Sequence, residues 1–179
     1  ESQYMVAADT LNSVNIPPTC RFLDVGGGKG TFVGELSKTY PKVDAAVFDL
    51  PGSHSENAEH TCIIGSFKED ELPKGYDVIS LVRILYDHRD KTIESLLAKV
   101  HRALGSGGRL IVSEPMLGPD RPSIWGDVYF AIYTLAMRTG KTRSPNQVSD
   151  LIKAAGFVDI KIHKSRRPFI TTVIEARKS

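Results

Sequence analysis

Cysteine is scarce in this 179-residue chain: only Cys20 and Cys62 are present, too few for a disulfide framework or a cysteine-rich zinc site. A reducing, cytoplasmic compartment is the expectation that follows. No apolar run approaches the roughly 20 residues that a membrane-spanning helix needs, so stable membrane insertion is not expected. An excess of one charge is lacking too, with 23 Lys and Arg against 21 Asp and Glu and a net charge of +2. That balance supplies no electrostatic footprint for nucleic acid. His54, His60, His101 and His163 show no metal-ligand spacing. The chain opens on Glu1 rather than Met and without a signal-peptide pattern, which suggests a fragment or a processed chain. No internal repeat, low-complexity tract or linker is visible.

What is present is ordinary globular material, 41% hydrophobic and 25% charged, in an amount that suits one large domain. Short apolar runs alternate with amphipathic stretches. Residues 4–14 have helical spacing at Met5, Ala8, Leu11 and Val14. Strands are expected at 21–25, 43–48, 62–64, 77–82 and 110–113, and helices at 31–40, 91–104 (closed by Gly105) and 124–138. Ser144, Pro145 and Gln147 spell a helix start, with Ser144 as cap and Gln147 three residues later. That helix should end at Gly156. Two final strands are expected at 158–163 and 169–176. Strand–helix alternation predicts a mostly parallel sheet covered on both faces. The final pair is separated by too few residues for a parallel crossover, so one strand near the C-terminal end must run in reverse.

The most informative stretch is Asp24-Val25-Gly26-Gly27-Gly28-Lys29-Gly30, which follows a strand and precedes a helix. Glycines let a backbone turn tightly and let a ligand approach without meeting a Cβ. A dinucleotide site requires Gly-x-Gly-x-x-Gly, but counting from Gly26 puts Thr31 at the last glycine position. The observed Asp-x-Gly-x-Gly-x-Gly, with its acid on the strand, suits S-adenosylmethionine, whose ammonium Asp24 can receive in a charge-assisted hydrogen bond. Asp49 closes the next strand about twenty positions later, where an acid can accept both hydroxyls of a ribose.

The runs FLDVGGGKGTF, VFDLPG, LVRILYDHRD, GGRLIVSEPML and GDVYFAIYTLAMRTGKTRSPNQVSDLIKAAGF resemble, in that order, the catalytic domain of the family 2 O-methyltransferases. Within the family they are most similar to the branch that methylates the 1-hydroxyl of carotenoids, the hydroxyneurosporene and demethylspheroidene O-methyltransferases. Bacteriochlorophyll-ring methyltransferases share the Arg-Ile-Leu-Tyr run. The resemblance implies a Rossmann-like α/β methyltransferase fold with a seven-stranded sheet. It implies residues 1–14 as a connecting helix and 15–179 as the methyltransferase domain. It also implies an N-terminal dimerisation domain outside this chain, and hence a homodimer in the full-length protein. The cofactor implied is S-adenosyl-L-methionine, without a metal, and the substrate an apolar hydroxylated small molecule.

Position by position, the resemblance puts Gly26 and Gly28 at the methionine end of the cofactor, Asp49 at the ribose and Leu50 at the adenine. Where the family has Gly-Asp-Met-Phe, this chain has Gly65-Ser66-Phe67; Ser66 can still hydrogen-bond the adenine and Phe67 stack on it. Val82 or Arg83 stands in the region where many plant members carry a Lys before the catalytic stretch, and Arg83 is the residue expected at the cofactor. The family's His-Asp-Trp reads Tyr86-Asp87-His88 here, so Tyr86 occupies the place of the usual base and His88 that of the tryptophan. Tyr86, with an ordinary pKa near 10, is a poor base at neutral pH. It is expected to position or polarise the substrate hydroxyl, with His88 and Glu114 as candidate proton acceptors. Glu114 matches a family glutamate that orients the base, while a second family glutamate is replaced by Thr142. Tyr129, Phe130, Tyr133 and Met137 offer an apolar substrate wall or simple core packing. Two other readings stay open: a cofactor-binding protein that has lost catalysis, and a methyltransferase of an aromatic, polyketide or other pigment substrate. A nicotinamide oxidoreductase fails on the missing glycine.

Overall fold

A computed structural model describes residues 2–53, 60–117, 140–163, 165–168 and 170–179. In chain order the elements are α1 (Ser2–Ser13), β1 (Arg21–Val25), α2 (Thr31–Thr39), β2 (Asp44–Asp49), β3 (Thr61–Ile64) and β4 (Tyr76–Val82). A single 3₁₀ turn (Leu85–Asp87) then leads to α3 (Asp90–Ala103), β5 (Leu104–Glu114), α4 (Pro145–Ala154), β6 (Phe157–His163) and β7 (Thr172–Lys178). The strands form one seven-stranded sheet in the order β3-β2-β1-β4-β5-β7-β6. β1 to β5 pair in parallel, and β7 runs antiparallel to both β5 and β6. The sheet is therefore the α/β arrangement expected, with β7 as the reversed strand.

Alternation along the strands divides the apolar side chains between two faces. On one, Leu23 and Val25 of β1 and Ile79 and Leu81 of β4 pack under Ile93, Leu96, Leu97 and Val100 of α3. On the other, Phe22 and Val78 join Ala7 and Leu11 of α1 and Phe32 and Leu36 of α2. Each such buried Leu, Ile, Val or Phe side chain contributes about 1.5–3 kcal/mol relative to its exposed state. The chain winds away from β1 in both directions, first through β2 and β3 and then back across to β4 and β5. Loops leaving β1 and β4 therefore diverge and open a crevice at their carboxyl ends, the place where open α/β sheets bind ligands.

Three sequence expectations are corrected. The third helix closes at Ala103, not at Gly105, and the strand after it begins at once with Leu104 and reaches Glu114. Leu104 pairs with Tyr76, and a register shift carries the chain through its glycines before Arg109 meets Val78; what looks like a turn is an irregular strand. The last strand starts at Thr172 rather than 169, because the N–H groups of Ile170 and Thr171 both bond back to the Arg167 carbonyl in a turn. The expected helix over 124–138, with Tyr129, Phe130, Tyr133 and Met137, and the histidine at 54 lie outside the described residues. The start of α4 follows its signal: Ser144 Oγ accepts the Gln147 N–H at 3.3 Å, and Gln147 Oε1 accepts the Ser144 N–H at 2.9 Å.

Candidate active site

The crevice is lined by Val6 of α1, by Asp24 and glycines 26 to 28, by Phe32 of α2, and by Arg83 and Tyr86 after β4. Two glycines are sterically required. Gly26 has φ +75°, and a Cβ there would run into the Ile84 side chain. A Cβ at Gly27 would strike the Asp24 carboxylate. Gly28 donates its N–H to Asp49 Oδ2 at 2.7 Å, so the acid at the end of β2 fixes the loop after β1. The same carboxylate accepts the Leu50 N–H at 2.6 Å and the Ser53 hydroxyl at 3.1 Å.

Asp24 lies on the α1/α2 face of β1, two residues along from Phe22. It is 1% exposed. Ser80 of β4 donates to its Oδ1 at 2.6 Å, while its Oδ2 is buried with no hydrogen-bond partner. Burial pushes the Asp24 carboxyl up to about 7; the Ser80 hydrogen bond pulls against this and the Asp49 charge adds to it.

After β4 the backbone turns sharply. Arg83 has φ +58°, unusual for a residue with a side chain. Its guanidinium stands 5.7 Å from the Tyr86 ring centroid, and its Nε is buried without a partner. The turn Leu85–Asp87 that carries Tyr86 is gripped from two directions. Glu114 Oε1 accepts the N–H groups of Ile84 and Leu85, each at 2.7 Å, and its Oε2 that of Tyr86 at 3.5 Å. Burial drives the Glu114 carboxyl up to about 8, against those three N–H groups. Arg143, 3% exposed, donates to the Leu85 carbonyl at 3.0 Å and the His88 carbonyl at 2.8 Å. Asp87 is raised by burial and lowered by the Arg83 charge and a hydrogen bond with Tyr86. The His88 imidazole meets the Phe67 ring edge-on, with centroids 5.3 Å apart. Burial, then the charges of Lys68 and Arg143, hold its pKa down.

The chain matches the model of the O-methyltransferase domain family over residues 1–158. It belongs to that family. It is 47% identical over 182 residues to the demethylspheroidene O-methyltransferase of Rhodobacter capsulatus, covering 99% of this chain and 46% of that protein. Against the enzyme of the same name from Cereibacter sphaeroides it is 41% identical over 186 residues, covering 98% and 49% respectively. The crystal structure of human N-acetylserotonin methyltransferase in complex with SAM superposes with a TM-score of 0.86 at 27% identity, over 99% of this chain and 55% of that one. The chain thus spans about half the length of the curated relatives it matches.

In this O-methyltransferase domain the crevice brings together Asp24, Gly26, Gly28, Arg83 and Tyr86. Asp49 reaches it through the Gly28 N–H. Leu50 is exposed beside Asp49, at 52%. Ser66 and Phe67 follow β3; the Ser66 N–H bonds Asp70 Oδ2 at 2.8 Å. Glu114 contacts the backbone that carries Tyr86, and His88 lies against Phe67 rather than among the crevice-lining residues. Among the described residues no cluster of His, Cys, Asp and Glu could hold a metal ion. Three contributors escaped the sequence reading. Ser80 and Arg143 are ordinary in type and carry no local signal. Lys99 had one: it sits three residues from Leu96 on the apolar side of α3, and its Nζ donates to the carbonyls of Phe67, Lys68 and Asp70 at 2.9, 3.2 and 2.7 Å, holding the loop after β3.

Proposed function

We propose that this domain is the catalytic half of an S-adenosylmethionine-dependent O-methyltransferase acting on a hydroxyl of an apolar small molecule of carotenoid type. The observation that carries the reading is the crevice itself, where the unpartnered Asp24 oxygen, the three glycines of the loop after β1 and Tyr86 meet. The substrate class rests on the two demethylspheroidene O-methyltransferases, to which the chain is 47% and 41% identical.

The residues present fit the cofactor. A buried carboxylate oxygen lacking a partner suits an ammonium, and the glycines leave the approach open. Asp24 would take the ammonium, Gly26 and Gly28 face the methionine portion, and Arg83 lie beside it. Asp49 would accept the ribose hydroxyls, with Leu50, Ser66 and Phe67 around the adenine. Bound there, S-adenosylmethionine supplies an electrophilic methyl on a sulfonium; every other task belongs to the chain. Tyr86 orients the substrate hydroxyl, and alignment of this kind is worth several kcal/mol. His88 and Glu114 are the candidate proton acceptors; Glu114 also fixes the Tyr86 backbone, and His88 stands two residues further along, against Phe67. The full-length protein is read as a cytoplasmic homodimer, with residues 1–14 as the connecting helix and 15–179 as the methyltransferase domain. No described helix is long and apolar enough to cross a membrane.

The test is turnover by the full-length protein on a panel of 1-hydroxylated acyclic carotenoids and phenols. A carotenoid methyl ether and S-adenosylhomocysteine are the expected products, and Tyr86→Phe should lower kcat about 100-fold while leaving cofactor affinity unchanged. Methylation of phenols alone would move the substrate class to the aromatic pigments. Cofactor binding with no turnover on either panel would favour a binding protein without catalysis.

A further inference from the structure

The Tyr86 turn is intrinsically weak. It is one 3₁₀ turn of three residues, closed by the Asp87 and His88 N–H groups on the Ile84 and Leu85 carbonyls at 3.3 and 3.2 Å. Such geometry is poor and short-lived on its own. It also follows Arg83, whose φ of +58° is an unfavourable start. Asp87 hydrogen-bonds Tyr86 within the turn, but the placing of the turn itself must be set from outside it. Glu114 gathers the N–H groups of residues 84 to 86, which leaves the carbonyl side.

Arg143 supplies that side. Nη1 donates to the Leu85 carbonyl at 3.0 Å and to the Lys141 carbonyl at 2.9 Å, and Nη2 to the His88 carbonyl at 2.8 Å. Nε and Nη2 hold Asp90 Oδ1 at 2.9 and 2.6 Å, so the guanidinium is anchored at the start of α3. Beside it, the Lys141 N–H donates to the Tyr86 carbonyl at 2.9 Å. Every carbonyl from Leu85 to His88 except that of Asp87 is thereby tied to the stretch 141–143. A planar guanidinium with five donors in a fixed fork can hold two carbonyls and a carboxylate at once; an ammonium on a flexible stem cannot hold that geometry.

We propose that Arg143 is a positioning residue for methyl transfer, fixing the orientation of Tyr86 by clamping the carbonyls on either side of it, opposite the Glu114 clamp on the N–H groups. The inference rests on the role given to Tyr86 above. Arg143 touches neither the crevice nor any reacting atom, and it acts through the backbone.

The experiment uses the full-length protein and three variants, Tyr86→Phe, Arg143→Met and Arg143→Lys. Readouts are kcat and KM, calorimetric affinity for S-adenosylhomocysteine, and hydrogen exchange at residues 84–88. Arg143→Met should lower kcat about 100-fold with cofactor affinity held within about threefold, the pattern of a misplaced group in an intact binding site. Exchange should quicken at 84–88 and stay slow in β1 and β4. Arg143→Lys, which keeps the charge beside Asp90 but not the fork, should fall between the unaltered protein and Arg143→Met, and serves as the folded variant if Arg143→Met does not fold. Unchanged exchange at 84–88 in both variants overturns the proposal, as does a loss of cofactor affinity that matches the loss of kcat. If instead Tyr86→Phe retains full turnover while exchange at 84–88 still responds to Arg143, the role of Tyr86 is wrong and the clamp stands only as structure.

Discussion

The two walls of the crevice are built by different means. On the β1/β2 side the backbone does the work: glycines at positive φ, a Gly28 N–H on Asp49 at 2.7 Å, and an aspartate at a strand end. On the β4/β5 side the backbone is held by side chains from far along the chain, Glu114 some 30 residues away and Arg143 nearly twice that. A cofactor is the same molecule in every member of a methyltransferase family, so a fixed local motif can serve it. On the function proposed above, the reacting side must suit one substrate, and Tyr86 stands there in the place of the histidine of the plant-type sequences that the chain resembles. A turn whose position is imposed from outside can accept that exchange without disturbing the glycine loop after β1.

The sharpest way to break this comparison is to make the cofactor wall respond to pH. Asp24 titrates at about 7 in the free protein because burial disfavours its charge, and binding an ammonium requires the charged form. Affinity for S-adenosylhomocysteine should therefore climb about 50-fold from about pH 5 to about pH 7, at up to tenfold per pH unit, and level off by about pH 8. Asp24→Asn should flatten the profile. The stability of the free protein runs the other way. Its folded carboxyl, raised from 3.8 to about 7, keeps a proton that the unfolded chain releases, so stability falls as pH rises from about 4 to about 7 and then levels. Calorimetry across pH on both proteins decides it; a pH profile that survives in Asp24→Asn removes Asp24 from the ammonium site.

The second test is Asp49→Ala. It removes the proposed ribose acceptor together with the partner of the Gly28 N–H, a loss of about 2 kcal/mol or roughly 30-fold in affinity. Activity lost without a change in the dissociation constant would place the nucleoside elsewhere.

The same division explains what could be read from the chain alone. The placing of Asp24, Asp49 and the glycines about one crevice was legible because it follows from local spacing: a strand, a glycine turn, a helix, and an acid on the next strand. The reversed β7 was legible because loop length limits direction. The Asp24–Ser80 hydrogen bond joins residues 56 apart, and the Arg143–Leu85 bond residues 58 apart. Neither serine nor arginine announces such a partner, since both types abound on surfaces. Lys99 could have been found, because a lysine on the apolar stripe of α3 needs polar partners, and it finds them in the carbonyls of Phe67, Lys68 and Asp70. Gly105 misled for the opposite reason: a glycine after an amphipathic stretch signals a helix end, but the helix stops at Ala103 and Leu104 already pairs with Tyr76 of β4, which overrides that local preference.

The smallest effect tests whether the division is real or merely one of distance. Ser144 lies next to Arg143 in sequence and caps α4 through a reciprocal pair with Gln147. It is a local device, worth about 1 kcal/mol on replacement by Ala. Ser144→Ala should lower the melting temperature by a few degrees while kcat, cofactor affinity and exchange at 84–88 stay put, because α4 is held independently by Val148 and Ile152 in the core. A cap mutation that slowed turnover as much as a change at Arg143 would mean that the Tyr86 turn senses the general firmness of its surroundings. It would not then be held by particular donors on particular carbonyls, and the contrast between a wall made of backbone and a wall made of clamps would collapse.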